Sequence, residues 1–135
     1  MTALDDAVDG LAARIDTIQG LQVVKTVQAF NFPTCLIGLP DVLDFDDLDE
    51  GDYTAIVPLW VLVAAAPEDG WMQALPFIDP RSTRSIYQAV NGDRTLGGLN
   101  VDARVTGFPR LMTMDEVAAY RAYGKFGQAR IIIGD

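Results

Sequence analysis

The stretch NGDRTLGGLNVDARVTG, Asn91 to Gly107, holds four glycines, an Asp-Arg-Thr triplet and a run of alternating apolar residues. Its front half decides whether the chain reads as a phosphate-binding enzyme or as a fold in which glycine only turns the backbone. A phosphate cradle needs successive N–H groups aimed at one point, usually after a strand and at the start of a helix. Here the order is reversed, because a helical pattern precedes the loop and an alternating pattern follows it. The loop contains neither Gly-x-Gly-x-x-Gly nor Gly-Lys-Ser/Thr. Gly92 is explained by helix termination, and Gly97-Gly98 by a reversal of the chain before the next strand. Leu96 is expected to tuck inward as an apolar pin. Asp93, Arg94 and Thr95 are then left for surface contacts, Arg94 foremost.

Working outward, NVDARVTG alternates as a strand, with Val101, Ala103 and Val105 pointing one way. Upstream, DPRSTRSIYQAVNG predicts a helix capped by Asp79, with Pro80 in its first turn, Ile86, Ala89 and Val90 on one face, and Asn91-Gly92 at its end. PEDGWMQALPFID suggests a short helix that buries Trp71, Leu75 and Ile78 and is ended or kinked by Pro76. YTAIVPLWVLVAA is continuously apolar, as an inner strand covered on both faces would be, with Pro58 at its entry or at a bulge. Downstream, TMDEVAAYRAYG has a capping-box spacing, Thr113 with Glu116, and a terminal Gly124, which favours a helix over a competing strand. ARIIIG closes as a strand.

The N-terminal region is the most regular. Leu4, Val8, Leu11, Ile15 and Ile18 recur at spacings of four, three, four and three, so they form one stripe on a helix that Thr2 caps and Gly20 ends. LQVVKTV and FPTCLIGLP follow as short strands, the second confined by Pro33 and Pro40. Without repeats or low-complexity linkers, residues 1–135 read as a single α+β domain, one mixed or antiparallel β-sheet packed by two to four helices.

Composition narrows the chemistry. The chain has no histidine, so Ser-His-Asp and Cys-His catalysis, His-ligated zinc and histidine base chemistry are all excluded. The lone Cys35 lies in the apolar run TCLIGL and reads as a small buried hydrophobe. The first twenty residues do not form a basic-then-apolar targeting pattern, and the longest apolar run, 55–66, is about half of what spans a bilayer. These features predict a soluble chain made inside the cell, with no membrane partner.

Charge is two-ended. Residues 1–79 carry 14 acidic and 2 basic side chains, whereas residues 80–135 carry 5 acidic and 8 basic, against a net charge of −9 overall. An acidic total opposes tight binding of nucleic-acid backbone. A bipolar chain suits head-to-tail contact between identical subunits. Seven of the thirteen residues from Asp41 to Tyr53 are acidic. A calcium loop anchored on Gly51 would put Leu48 and Val57 at ligand positions, so that pattern fails, and the stretch reads as a solvated loop. An enzyme or divalent-metal site would have to use Asp46, Asp47, Asp49 and Glu50, on a stretch with few apolar anchors to position them.

Taken in order, GLQVV after an amphipathic helix, PTCLIGLP, VPLWVLVAAA, STRSIYQAV, and DRTLGG followed by VDARVTG resemble the tail terminator proteins of long-tailed bacteriophages, particularly those of actinobacteria. The resemblance spans nearly the whole chain and departs from the family pattern at MTMDEVAAYRAYGKFG, where a plainer strand pair is expected. It implies a virion protein assembled in the host cytoplasm, a homohexameric ring that caps the tail tube at the head–tail junction, ends tube polymerisation and offers a docking surface for the head. The partners so implied are other copies of the chain, the tail tube protein and head–tail connector proteins, with DNA passing through the ring unbound. No catalytic residue, metal or cofactor comes with the family. Another connector of the neck is the alternative within the same class. The basic half supplies Arg81, Arg84 and Arg94 as candidate subunit contacts, and Asp46, Asp47, Asp49 and Glu50 are candidate channel-facing residues, because a negative wall would keep DNA from adhering.

Overall fold

A computed structural model of the chain describes residues 2–25, 33–40, 42–45, 52–63, 67–112 and 123–134. Helix α1 (Ala3–Asp16) starts at a capping box, in which the Thr2 side chain accepts from the Asp5 amide and the Asp5 carboxylate accepts from the Thr2 amide. Those Thr2 hydrogen bonds, the backbone one first, hold the Asp5 carboxyl below the ordinary aspartate range. The expected stripe is the buried face: Ala7, Leu11 and Ile15 are fully buried, with Leu4 and Val8 packed at its margin. Gly20, at φ +84°, ends the turn that follows the helix.

The described strands form one six-stranded mixed sheet. Strand β1 (Gln22–Val24) runs parallel to β2 (Thr34–Ile37), and every other pairing is antiparallel. β3 (Val42–Asp44) and β4 (Tyr53–Val63) pair, as do β4 and β6 (Tyr123–Ile133), and β6 and β5 (Val101–Met112), so the order is β1-β2-β4-β6-β5. β6 occupies one edge of β4 from Tyr53 to Val63, so β2 and β3 share the other edge end to end. Their registers differ by two residues, which Gly38–Pro40 absorb, and Leu39 is 85% exposed at that step. Part of the acidic stretch is therefore strand rather than loop. Val42–Asp44 pairs with Ile56–Thr54.

Pro58 lies in the middle of β4, opposite Gln128, rather than at the strand's entry or a bulge. Its carbonyl accepts from the Gly38 amide at 3.0 Å, so its nitrogen faces the same edge, where β2 gives way to β3. The missing donor thus costs the β4–β6 ladder nothing. The bulges fall instead in β5, whose register against β6 shifts twice between Val105 and Arg110. Gly107, at φ +148°, sits at these shifts, and the Phe108 ring lies over Gly127, where a Cβ would come within 2.3 Å of it.

Helices α2 (Pro67–Ile78) and α3 (Ile86–Asn91) complete the layer. α2 buries Ala74 and Phe77, while Leu75 and Ile78 are half-buried; the Trp71 side chain lies outside the described residues. Pro76 does not end α2, since in the last turn it removes one N–H and the Asp79 amide still reaches the Leu75 carbonyl at 2.9 Å. α3 is shorter than its sequence pattern predicts. Asp79 spends its carboxylate on the Arg81 amide, 2.9 Å away, residues 80–84 make turns, and Ser85 is the true cap, accepting from Gln88. Gly124 belongs to β6, opposite Met112, and does not end a helix; residues 113–122 lie outside the described set.

Odd-numbered positions of β4, β5 and β6 (Val57, Leu59, Val61, Ala103, Val105, Ala129, Ile131) meet Leu11, Ile15, Phe77 and Ile86 in one core. Burying a side chain of this size contributes about 1.5–3 kcal/mol. With the described helices on this face, the even positions form the other face of the sheet. Alternation along VDARVTG and ARIII is what separates the two.

Candidate functional site

The Asn91–Gly107 segment is a clasp on a sheet edge. Asp93 organises its turn: one carboxylate oxygen accepts from Thr95 Oγ1 at 2.9 Å, the other from the Gly97 amide at 3.0 Å. Gly97 and Gly98 have φ of +88° and +98°, and Leu96 is held at +53°. Leu96 is 5% exposed, so the expected pin is present. It packs on Gly10 of α1, where an added Cβ would stand 3.0 Å from the Leu96 Cβ. The segment then returns along β5. The Arg94 carbonyl accepts from the Ala103 amide at 2.8 Å, and Asn91 Oδ1 accepts from the Val105 amide at 2.9 Å. Two outward-facing amides of the edge strand β5 are thereby satisfied within the chain.

The three arginines expected at a subunit contact fare differently. Arg94 forks onto Asp102 at 2.6 and 2.7 Å, locking the clasp to β5. Arg84 donates to the Gln19 carbonyl at 3.2 Å and lies 4.8 Å from the centre of the Phe77 ring, bridging the turn after α1 to α2. Both guanidinium groups thus already have partners in their own chain. Arg81 is exposed, beside an open groove of 730 Å³ formed by Leu75 and Ile78 of α2, Asp79, Tyr87 of α3 and the bulged Val105–Phe108. The structure does not bring the three together at one contact. Asp46, Asp47, Asp49 and Glu50 lie outside the described residues.

Sequence reasoning missed a second basic feature. Arg104 and Arg130 face each other directly across β5 and β6, both exposed, on the side of the sheet away from the helices. The Ala103 and Val105 amides point outward to the clasp, so Arg104 points its own backbone at β6 and the two arginines form a hydrogen-bonded pair, with Cα atoms about 5.5 Å apart. Like charges in that arrangement are destabilising. Arg104 comes within 3.5 Å of Asp102, whose carboxylate is already forked by Arg94. Among the described residues no carboxylate stands within ion-pair distance of Arg130. The half-buried Ile56 and Ile132 neighbour the pair on the same face. The signal was available, because alternation around Ala103–Val105 and Ala129–Ile131 puts both arginines on one face; the register was not.

On the opposite side of the molecule α1 presents acid. Asp5, Asp9 and Asp16 fall within a narrow arc away from the buried stripe, with Asp6 beside them, and all four are exposed. Asp9 pairs with Lys25. Between α1 and β1 an open groove of 520 Å³ is lined by Asp9, Ala12, Ala13, Asp16 and Lys25, together with Val23 and Val24. Cys35 is buried, and desolvation pushes its thiol pKa up to about 12, so it is chemically quiet near neutral pH. Among the described residues no three carboxylate or thiol side chains converge as a metal site would need. The chain matches no protein-family model and no curated protein in sequence.

Proposed function

We propose that the chain is a ring-forming assembly protein of the tail-terminator type, placed in the virion at the head–tail junction, where it ends growth of the tail tube and receives the head. The observation that carries this reading is continuity. The segments on which the resemblance rests supply, in order, α1 and β1, β2, β4, the turn into α3 with α3 itself, and the clasp with β5, all elements of one α+β fold whose single mixed sheet is joined by β6, outside those segments. The charge division between the halves of the chain supports assembly from identical copies.

Imaging of particles made with and without the protein tests the reading. Loss of the protein is expected to leave tails of irregular, excessive length and heads that fail to join them. Tails of normal length that merely lack heads would move the assignment to another connector of the neck. Normal virions would overturn both.

A further inference from the structure

We propose that the sheet face bearing Arg104 and Arg130 in one copy seats on the acidic outer face of α1, at Asp9 and Asp16, in the next copy. The inference rests on the ring-forming reading and names the contact that would build the ring.

Four observations converge on it. Two guanidinium groups oppose each other across β5 and β6, a placement that costs stability in a lone chain; Arg104 has only a 3.5 Å approach to the Asp102 carboxylate that Arg94 already forks, and carboxylates from outside would relieve the pair. The flanking Ile56 and Ile132 are only half-buried, on a face without a described helix. α1 offers the complementary charge, with Asp16 unpaired by any described base and Asp9, which pairs with Lys25 of its own chain, two turns away, about 10.5 Å along the helix, and both lining an open groove against β1 that Lys25 also lines. Finally, sheet face and helix layer lie on opposite sides of the molecule, so the contact cannot be two-fold symmetric. Each copy offers one surface of each kind, which makes the contact heterologous and able to propagate until it closes.

Of the possible occupants of the arginine face, nucleic acid is disfavoured by a net charge of −9. A segment of the same chain would pair the arginines internally. That alternative predicts that removing Arg130 lowers the stability of the isolated chain, whereas a contact between copies predicts the reverse, since Arg130→Glu converts a repulsive cross-strand pair into an attractive one.

The experiment measures mass by sedimentation over a concentration series at low and high salt, together with melting temperature, for the full chain and for Arg130→Glu, Asp16→Lys and the two combined. Wild type is expected to self-associate at low salt and to weaken at high salt. Each single variant should lose the oligomer while keeping its fold, with Arg130→Glu melting no lower than wild type. The combined variant restores the charge pairing with the signs exchanged and should regain the oligomer. Oligomers unchanged in both single variants would overturn this contact and leave the ring-forming reading standing. Loss in Arg130→Glu without recovery in the combined variant would overturn Asp16 as the occupant. A wild-type chain monomeric at every concentration and salt would overturn the self-assembly reading and the contact with it.

Discussion

Cys35 shows how burial alone sets a residue's chemistry. Its thiol is fully buried, and desolvation raises its pKa from 9.0 to about 12. In the unfolded chain the thiol ionises at its ordinary value, so above that pH the unfolded state sheds a proton that the folded state retains. The thiol's contribution to stability is therefore intact below about pH 9 and is lost progressively as pH rises toward 12. Cys35→Ala removes this proton and keeps a small apolar group. Denaturant titrations of the two proteins should diverge above pH 9, wild type falling faster, and parallel curves would mean that the thiol is solvated. The position was legible from its apolar run, as was Leu96 from the glycines around it. Arg94 was not, because its partner Asp102 stands eight residues on, across a turn whose path depends on Leu96 finding Gly10. Arg104 and Arg130 were legible as to face but not as neighbours, since a strand pattern carries no information about its register.

Among the elements, α1 gives the sharpest test of packing against propensity. Gly10 sits in the helix interior, where Ala is normally better by about 0.8–1.0 kcal/mol. Here the new Cβ would stand 3.0 Å from the Leu96 Cβ, 3.2 Å from the Leu96 carbonyl oxygen and 3.2 Å from Leu99 Cδ1. Two of these atoms belong to a residue already held at positive φ by the clasp, and overpacking of this kind costs about 1–3 kcal/mol. Gly10→Ala should therefore fail to stabilise the protein and should destabilise it by up to about 2 kcal/mol in urea unfolding. A gain of the full helical propensity would show that the clasp stands off from α1. The helix itself could be read from its four-three spacing because amphipathic periodicity needs no tertiary knowledge. The beginning of α3 could not. Asp79-Pro80 is a sound start signal, but Asp79 finds the Arg81 amide first and Ser85 does the capping. β3 was hidden for a different reason: the acids of the stretch around it argue for solvent, and its strand conformation comes from pairing with β4, a contact that local sequence does not encode.

At the scale of the whole molecule, charge is divided unevenly along the chain. The arginine pair and the outer face of α1 carry the charges of the proposed contact between copies, whereas the stretch from Asp41 to Asp52, with seven carboxylates and no base, would have another use if the proposed ring passes DNA. A wall bearing negative charge repels phosphates and prevents adhesion, while an arginine-lined wall would hold them by releasing counterions. Asp46, Asp47, Asp49 and Glu50 have only Leu48 among them as an apolar residue. The competing placement is the outer rim, where a solvated loop costs nothing and does nothing for passage. The two placements differ in what neutralisation does. If the stretch faces the channel, replacing the four acids by Asn or Gln should leave ring formation and tail length intact and slow DNA ejection, and Lys at the same positions should slow it further. The effect should shrink as salt rises and the Debye length falls below the distance between wall and phosphate. Timed ejection from otherwise normal particles is the measurement, and ejection at the wild-type rate in both variants would put the stretch on the rim.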